Sequence, residues 1–417
     1  MSASAGRYAA VIALALATAA GARAQVLFTD FESDPSATGW FIPSSVPGIT
    51  TAQAHSGTHS FSLNQSANLF SPLLQPTYAP GQYVEVDYYA YNPTGSLTAG
   101  GMDRSFINPA IGWSANTAVY RVNDFSDVER VSFNSLDANA NRPGPYAYID
   151  DVTIRPITPA AAVQVQRANF ATFMPQPFAY TAPANRQARL PNTMATLAAG
   201  GTANVVMMGD SIVADTYFSY FEAQAQQHTG GTLKVSAAIV GGSSATFWSQ
   251  NIGTNITPTT NLLMFGGIST QAPDIPALDS VIQQARAINP NIEIVLMGPV
   301  AGPYNPFADP SLALPADPNG TDYRSQLLQL ANADGVQFWD LTAPFDQYIL
   351  NSGLTYNDFL RDGLHMNARG QYLVGDVLES FFTPVPVPEP SSLALAGLAG
   401  GAVAAAWRRR ARAAVSH

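Results

Sequence analysis

The stretch Val205-Val206-Met207-Met208-Gly209-Asp210-Ser211 decides the fold. Four consecutive apolar residues leave no polar face, so the strand they form is buried on both sides, as in a parallel sheet covered by helices. Gly209 marks the turn at its end, and Ile212 onward can start a helix with Ser211 near its N-terminus. Backbone N–H groups and the helix dipole at that place favour an anion. A serine before a helix is also an ordinary N-cap, so this stretch alone leaves two readings open.

The same rhythm continues outward. Val235 to Val240, Leu262 to Phe265 and Ile292 to Met297 are further apolar strand candidates, each running into glycine, and Val336 to Trp339 is a fifth. The segment Ile275 to Ile288, apolar at Ile275, Leu278, Ile282 and Ala285, and the segment Tyr323 to Ala333 fit crossover helices. Residues 192–382 are therefore expected to form a three-layer α/β unit with a parallel sheet, its chemistry lying just beyond the carboxyl ends of the strands.

Residues 25–157 read differently. Short apolar or aromatic runs separated by Gly, Pro, Asn and Ser predict an all-β sandwich domain. Its clearest strand is Tyr83 to Tyr89, with Val84, Val86 and Tyr88 on one face and Tyr83, Glu85, Asp87 and Tyr89 on the other; Tyr146 to Ile154 is the closing strand. The Ala-, Pro- and Gln-rich residues 158–191 read as a linker packed loosely on one of the domains.

Both ends carry addresses. Arg7, the apolar run Ala9 to Ala20 and Ala22-Arg23-Ala24 before Gln25 form a signal-peptide pattern over residues 1–24, which implies export. In residues 383–417, Pro384, Pro386, Pro388 and Pro390 make an extended spacer, the uncharged run Ser391 to Trp407 follows, and Arg408, Arg409, Arg410 and Arg412 close it. An apolar run stopped by arginines is held in a membrane with its basic end in the cytoplasm, although this one is at the lower limit for spanning.

Composition excludes several classes. The 417 residues, 47% hydrophobic and 10% aromatic, suit a globular two-domain chain. Net charge is −10, and six of the 19 basic residues sit in the two end segments, so the body repels nucleic acid and offers no basic patch for it. Cysteine is absent, which removes disulfides, thiolate metal sites and a cysteine nucleophile.

Histidine is scarce: His55, His59, His228, His365 and His417. If the α/β unit does serine chemistry, its base is His228 or His365. His228 stands in Gln226-Gln227-His228-Thr229-Gly230, a solvated helix end, whereas His365 stands in Asp362-Gly363-Leu364-His365. That spacing lets the Asp362 carboxylate reach the imidazole across a turn, fix its tautomer and stabilise the imidazolium. A helix-capping Asp followed by a surface His is the plainer explanation of the same four residues.

Taken together, these blocks resemble the SGNH (GDSL-like) hydrolase family over residues 192–382. Gly209-Asp210-Ser211 matches its first block, Gly242 in Val240-Gly241-Gly242-Ser243-Ser244 its second-block glycine, and Asp362 to His365 its last block, with Asn367 and Gly370 behind. The resemblance implies Ser211 as nucleophile, His365 and Asp362 as its charge partners, and an oxyanion hole from the N–H groups of Ser211 and Gly242. One block departs. Where the family has G-x-N-D, this chain has Gly266-Gly267-Ile268-Ser269-Thr270, so Ser269 takes the position of the third oxyanion donor, with Gln271 nearby. The implied activity is a carboxylic ester hydrolase that needs no cofactor for catalysis.

Two further resemblances complete the reading. Val387-Pro388-Glu389-Pro390, the apolar run and the arginines resemble the PEP-CTERM sorting signal. That signal implies processing by an exosortase in a Gram-negative bacterium, transient inner-membrane anchoring, and delivery to the cell surface or extracellular matrix. Asp30-Phe31-Glu32, Gly39-Trp40, His55 to Ser60 and Tyr148 to Val152 resemble a jelly-roll carbohydrate-binding module. Such a module implies a structural Ca²⁺, with Glu32, Asp150 and Asp151 as candidate ligands, and sugar stacking on Trp40, Tyr83, Tyr89 and Trp113. The acids can equally be turn and edge-strand residues, and the aromatics core. The expected substrate is a small ester or an acylated, most simply acetylated, extracellular polysaccharide. A glycan-binding or matrix protein with a weakened hydrolase unit, and a lipase-like esterase, are the alternatives.

Overall fold

The computed structural model describes residues 26–42, 48–63, 69–75, 77–94, 101–102, 110–122, 130–134, 147–267 and 275–384. Residues 1–24, Ser269, Gln271 and the apolar run 391–407 lie outside them. The N-terminal part is all β, with strands β1 (Leu27–Thr29), β2 (Ile49–Thr50), β3 (Ser60–Leu63), β4 (Leu69–Phe70), β5 (Tyr83–Asn92), β6 (Gly101–Met102), β7 (Gly112–Arg121), β8 (Ser132–Asn134) and β9 (Ala147–Ile157). One antiparallel sheet runs β2-β3-β9-β5-β7, with β1 also on β9, and a smaller one runs β4-β8-β6. Alternation along β5 sends Val84, Val86 and Tyr88 into the core between the sheets, where the Tyr88 ring meets Phe133 of β8 edge-on at 5.3 Å.

The C-terminal part is the expected parallel sheet. Strands β10 (Thr202–Gly209), β11 (Thr232–Ile239), β12 (Leu262–Gly266), β13 (Glu293–Met297) and β14 (Gln337–Trp339) lie in the order β11-β10-β12-β13-β14, every pairing parallel. Strand β10 is central, and its period of two divides its side chains between two cores. Val205 and Met207 pack with the helices Ser211–Tyr217, Phe221–Thr229 and Ala368–Phe382 on one side. Val206 and Met208 pack with Ala245–Asn255, Ile275–Ile288 and Tyr323–Asp334 on the other. This double burial is why the run carries no polar residue. Among the described residues, no helix is long and apolar enough to cross a membrane.

The segment expected to be a loose linker is ordered and buried at key points. Helix α1 (Pro159–Phe173) starts on a proline that needs no N–H partner, is rich in good helix formers, and inserts fully buried Ala162 and Val163 against Tyr83, Val119, Tyr220 and Ala223. Helix α2 (Pro191–Ala198) follows. Between them Arg186 gives its guanidinium N–H groups to the Thr383 carbonyl at 2.8 and 3.2 Å, and its own carbonyl accepts the Trp339 indole N–H at 2.7 Å. Composition suggested a linker because Ala and Gln carry no obvious amphipathic stripe. The burial comes from the β5 and β7 surface that α1 covers.

That surface also joins the two parts. After α3 (Ser211–Tyr217), Tyr220 adopts a left-handed φ of 64° and leads into α4 (Phe221–Thr229). Arg121 of β7 lies 2.7 Å from the Glu222 carboxylate, both nearly fully buried, with its guanidinium 3.8 Å from the centre of the Tyr217 ring. Tyr83 also hydrogen-bonds Glu222, and Tyr220 donates its hydroxyl to the Val119 carbonyl.

Candidate active site

Strand β10 ends at Gly209, and Asp210 caps α3: its Oδ1 accepts the N–H groups of Ile212 at 2.9 Å and Val213 at 3.4 Å. Capping by Asp210 leaves Ser211 as the first helical residue with its side chain free for another partner. Burial pushes the Asp210 carboxyl up to about 6, against the two N–H groups that favour its charge. Gly267, at φ 139°, passes so close that a Cβ there would sit 2.6 Å from Asp210 Oδ2. Only glycine satisfies both that φ and that contact.

The partner of Ser211 is His365, with Nε2 2.9 Å from Oγ, and His365 Nδ1 lies 2.8 Å from Asp362 Oδ2. A carboxylate only accepts, so Nδ1 carries the proton of the neutral ring and Nε2 presents a lone pair to the serine O–H. The second Asp362 oxygen accepts the N–H groups of Leu364 and His365 at 2.7 and 2.6 Å. Burial alone would raise this carboxyl, but the His365 N–H, its ring and the Leu364 N–H together hold it below the usual Asp value. His228 is elsewhere, in the last turn of α4, against Glu379.

Residues 360–367 are fixed from below by a side chain that the sequence reading missed. Asp215 of α3, 1% exposed, accepts from the Met366 N–H at 2.8 Å, from Arg361 Nη1 at 2.8 Å and from Gln371 Nε2 at 3.0 Å. Arg361 N–H in turn reaches the His365 carbonyl at 2.9 Å. Serine and histidine, 154 residues apart in sequence, are thus referenced to the same helix. The available signal was an acid one helical turn past Ser211 in the stretch Ile212 to Phe218, which is mostly apolar apart from Thr216.

Around Ser211, Val240 N–H bonds the Gly209 carbonyl at 3.0 Å, and a Cβ on Gly241 would lie 3.9 Å from Ser211 Cβ. Gly242 follows with φ 70° in open space, the left-handed turn that brings the loop alongside Ser211. Trp248 anchors this loop by donating its indole N–H to Ser243 Oγ at 2.7 Å. Ser269 lies outside the described residues, so the third oxyanion position has no geometry here.

Residues 207–373 match the profile of the GDSL-like Lipase/Acylhydrolase family, and residues 386–410 match the PEP-CTERM protein-sorting motif. The chain carries a GDSL-like lipase/acylhydrolase domain. Its sorting motif implies exosortase processing, and the domain implies an ester substrate. Similar solved structures include a phospholipase A1 from Streptomyces albidoflavus (16% identity, 43% of this chain and 98% of that one, TM-score 0.30). Others are a lipase/acylhydrolase from Enterococcus faecalis (14%, 42% and 93%, TM-score 0.30) and the CBM22 tandem of Paenibacillus barcinonensis Xyn10C (16%, 33% and 47%, TM-score 0.24). None of the curated proteins compared matches the chain.

Beside the GDSL-like domain, the β part sorts its candidate residues in two ways. Trp40 and Tyr83 are 2% and 3% exposed, one in the sandwich core and the other against Glu222, so neither offers a ring face to a sugar. Tyr89 and Trp113 are half-buried on the outer face. His55 stacks on Tyr89 at 3.4 Å, Trp113 meets Tyr91 at 5.7 Å, and Tyr91 meets Tyr148 at 5.9 Å. Cross-strand pairing of Tyr91 with both Trp113 and Tyr148 builds this platform, which sequence spacing alone could not show.

The three candidate metal ligands accept from the turn at residues 55–59. Glu32 accepts the N–H groups of Thr58 and His59, each at 2.6 Å, and these hold its carboxyl down at about 2. Asp150 accepts the N–H groups of His55 and Ser56 at 2.9 and 3.2 Å, while Asp151 takes the His55 ring at 2.7 Å and the Ser56 hydroxyl at 2.7 Å. Among the described residues, no three His, Asp or Glu side chains form a group able to hold a metal. Through these N–H and O–H donors the three acids clasp the 55–59 turn.

Proposed function

We propose that this chain is an exported serine esterase whose nucleophile is Ser211, with His365 as base and Asp362 as its orienting carboxylate. The observation that carries the reading is the relay of 2.9 and 2.8 Å hydrogen bonds from Ser211 Oγ through His365 to Asp362. Ser211 Oγ attacks the ester carbonyl carbon as its proton passes to His365 Nε2. The oxyanion is held by the N–H groups of Ser211 and Gly242, with Ser269 as the third donor. Collapse expels the alcohol, which takes the proton from His365. Water, deprotonated by the same nitrogen, then attacks the acyl-serine, and the proton passes from His365 to Ser211 Oγ as the acid leaves. Asp362 keeps the imidazolium in register throughout.

The substrate class we favour is an acetylated extracellular polysaccharide. Support comes from the sorting motif, which sends the protein towards the cell surface, and from the Tyr91, Trp113 and Tyr148 cluster on the outer sheet face, whose rings suit contact with the C–H face of a sugar. A second reading, a lipase-like esterase, is favoured by Val240 and Phe247, 46% and 39% exposed on the loop and helix that follow β11 beside Ser211. Acetate release from acetylated glycans, measured against hydrolysis of p-nitrophenyl esters of increasing chain length, separates the two. A preference for long acyl chains with no acetate release would sink the polysaccharide reading. Failure of any ester to turn over, with no labelling of Ser211 by a fluorophosphonate, would leave a binding protein.

A further inference from the structure

Strand β14 is the last of the parallel sheet. Beside it, the segment 180–189, the loop 313–316 and the helices Tyr323–Asp334 and Thr342–Ser352 line a cavity of about 420 Å³. It is not the Ser211 site. Three strand spacings separate β14 from β10, about 14 Å across the sheet.

Two guanidinium groups line this cavity, and neither meets a carboxylate among the described residues. Arg186, 8% exposed, is bound only by the carbonyls of Ala182, Pro183 and Thr383. Arg189 is half-buried and gives Nη1 to the carbonyls of Ala331 and Val336 at 2.6 and 2.9 Å. Its Nε–H and Nη2–H groups have no partner among the described residues, and neither nitrogen is sealed from solvent. Carbonyls occupy N–H donors but leave the positive charge in place, and a partly buried charge is unfavourable until a counter-ion reaches it. Arg121, Arg324 and Arg361 show the usual solution, each with a carboxylate within 2.8 Å.

The rest of the lining defines the missing counter-ion. Asp340, the acid on this lining, is already held by Arg324 at 2.8 Å and by the Ala316 N–H at 2.9 Å. The free nitrogens of Arg189 are Nε and Nη2, the pair whose N–H groups point the same way and match the two oxygens of one carboxylate. Apolar side chains make up much of the remaining wall: Leu314 is 62% exposed, and Leu328, Phe338 and Tyr180 are half-buried. A small inorganic anion would leave these surfaces in water, and a neutral apolar molecule would leave Arg189 without a counter-charge.

We propose that this cavity binds a monocarboxylate with an apolar body, its carboxylate on the Nε and Nη2 edge of Arg189 and its body against Leu314, Leu328 and Phe338. The site does not depend on acyl transfer at Ser211, and it gives the GDSL-like domain a second place for small molecules.

The test is calorimetry on the full chain with octanoate, 1-octanol and glucuronate. Octanoate should bind about tenfold or more tighter than either control, since 1-octanol lacks the charge and glucuronate lacks the apolar body. Arg189→Gln removes the charge but keeps an amide for the Ala331 and Val336 carbonyls, and Leu314→Glu places a negative charge on the exposed wall. Each should weaken octanoate by about tenfold or more while hydrolysis of p-nitrophenyl acetate is unchanged. Circular dichroism checks the fold, and Leu314→Glu decides alone if Arg189→Gln unfolds. Three results would overturn the proposal. Octanoate does not bind the parent; a control binds as tightly as octanoate; or octanoate keeps its affinity in a folded variant, which would put the acid elsewhere, the Ser211 cleft included.

Discussion

The Met366 N–H donates to the Asp215 carboxylate at 2.8 Å, one residue past His365 on one side of the contact and one helical turn past Ser211 on the other. With Arg361 and Gln371 on the same carboxylate, this contact sets the height of His365 over Ser211. Asp215→Asn keeps the shape but loses the charge that holds Arg361. We predict that it lowers kcat towards p-nitrophenyl acetate with little change in KM, since a displacement of about 1 Å at the reacting atoms can cost ~10²-fold. Asp215→Ala should cost more. Equal kcat in all three proteins would show that the loop is held without Asp215.

Ser211→Ala and His365→Ala should each reduce turnover by ~10⁴-fold or more while circular dichroism and melting temperature stay near those of the parent. Neither side chain supports the core. Asp362→Ala should be milder, because it leaves a base that is present but misoriented. Substantial turnover in the Ser211→Ala protein would rule out the mechanism.

Ser269 stands where the resembled family has an asparagine amide. Ser269→Ala should cost roughly 10- to 10³-fold in kcat if the hydroxyl serves the oxyanion. No change in rate would remove it from the oxyanion hole.

Arg121 and Glu222 tie the β part to α4. Glu222→Leu leaves the Arg121 charge buried without its carboxylate and should cost about 3–5 kcal/mol in urea unfolding. The double replacement Arg121→Met with Glu222→Leu should recover most of that loss. If the single variant is as stable as the parent, the junction is not a buried ion pair in solution.

Asp346 is fully buried, and neither oxygen has a partner among the described residues; burial pushes its carboxyl from 3.8 up to about 8. The folded state therefore holds this proton more tightly than the unfolded chain does. The resulting stability is fully present below the unfolded value near 4 and is lost as pH rises through about 8. The melting temperature should fall between pH 5 and pH 8.5, and Asp346→Asn should flatten that slope. Some slope will persist from Asp210 and Asp376, raised to about 6 and about 7. Identical slopes in parent and variant would mean that Asp346 is ionised in the fold.

Much of the α/β part was legible because its signals are local. A doubly buried strand must read as Val205 to Met208 does, a helix start needs a cap such as Asp210, and Asp362 and His365 are close enough in sequence for one turn to join them. The β part was legible as strands, since period-two alternation along Tyr83 to Tyr89 is also local. What each outer-face aromatic does was not legible, because Tyr83 and Tyr89 occupy equivalent positions on the same face. Only the covering of that face by α1 and α4 buries the first, and only the pairing of Tyr91 with Trp113 and Tyr148 makes a platform near the second.

The sequence by itself made legible the five strands of the α/β part, the turn that joins Asp362 to His365, and the sorting motif of residues 386–410. The tertiary structure decided that residues 158–191 strap the two parts together and that Asp215 supports the histidine loop. It also decided that Glu32, Asp150 and Asp151 hold the 55–59 turn. The division has one physical cause. Dihedral preference and hydrophobic period act over a few residues, whereas burial and hydrogen-bond partners are set by whichever distant segment the packed core brings alongside.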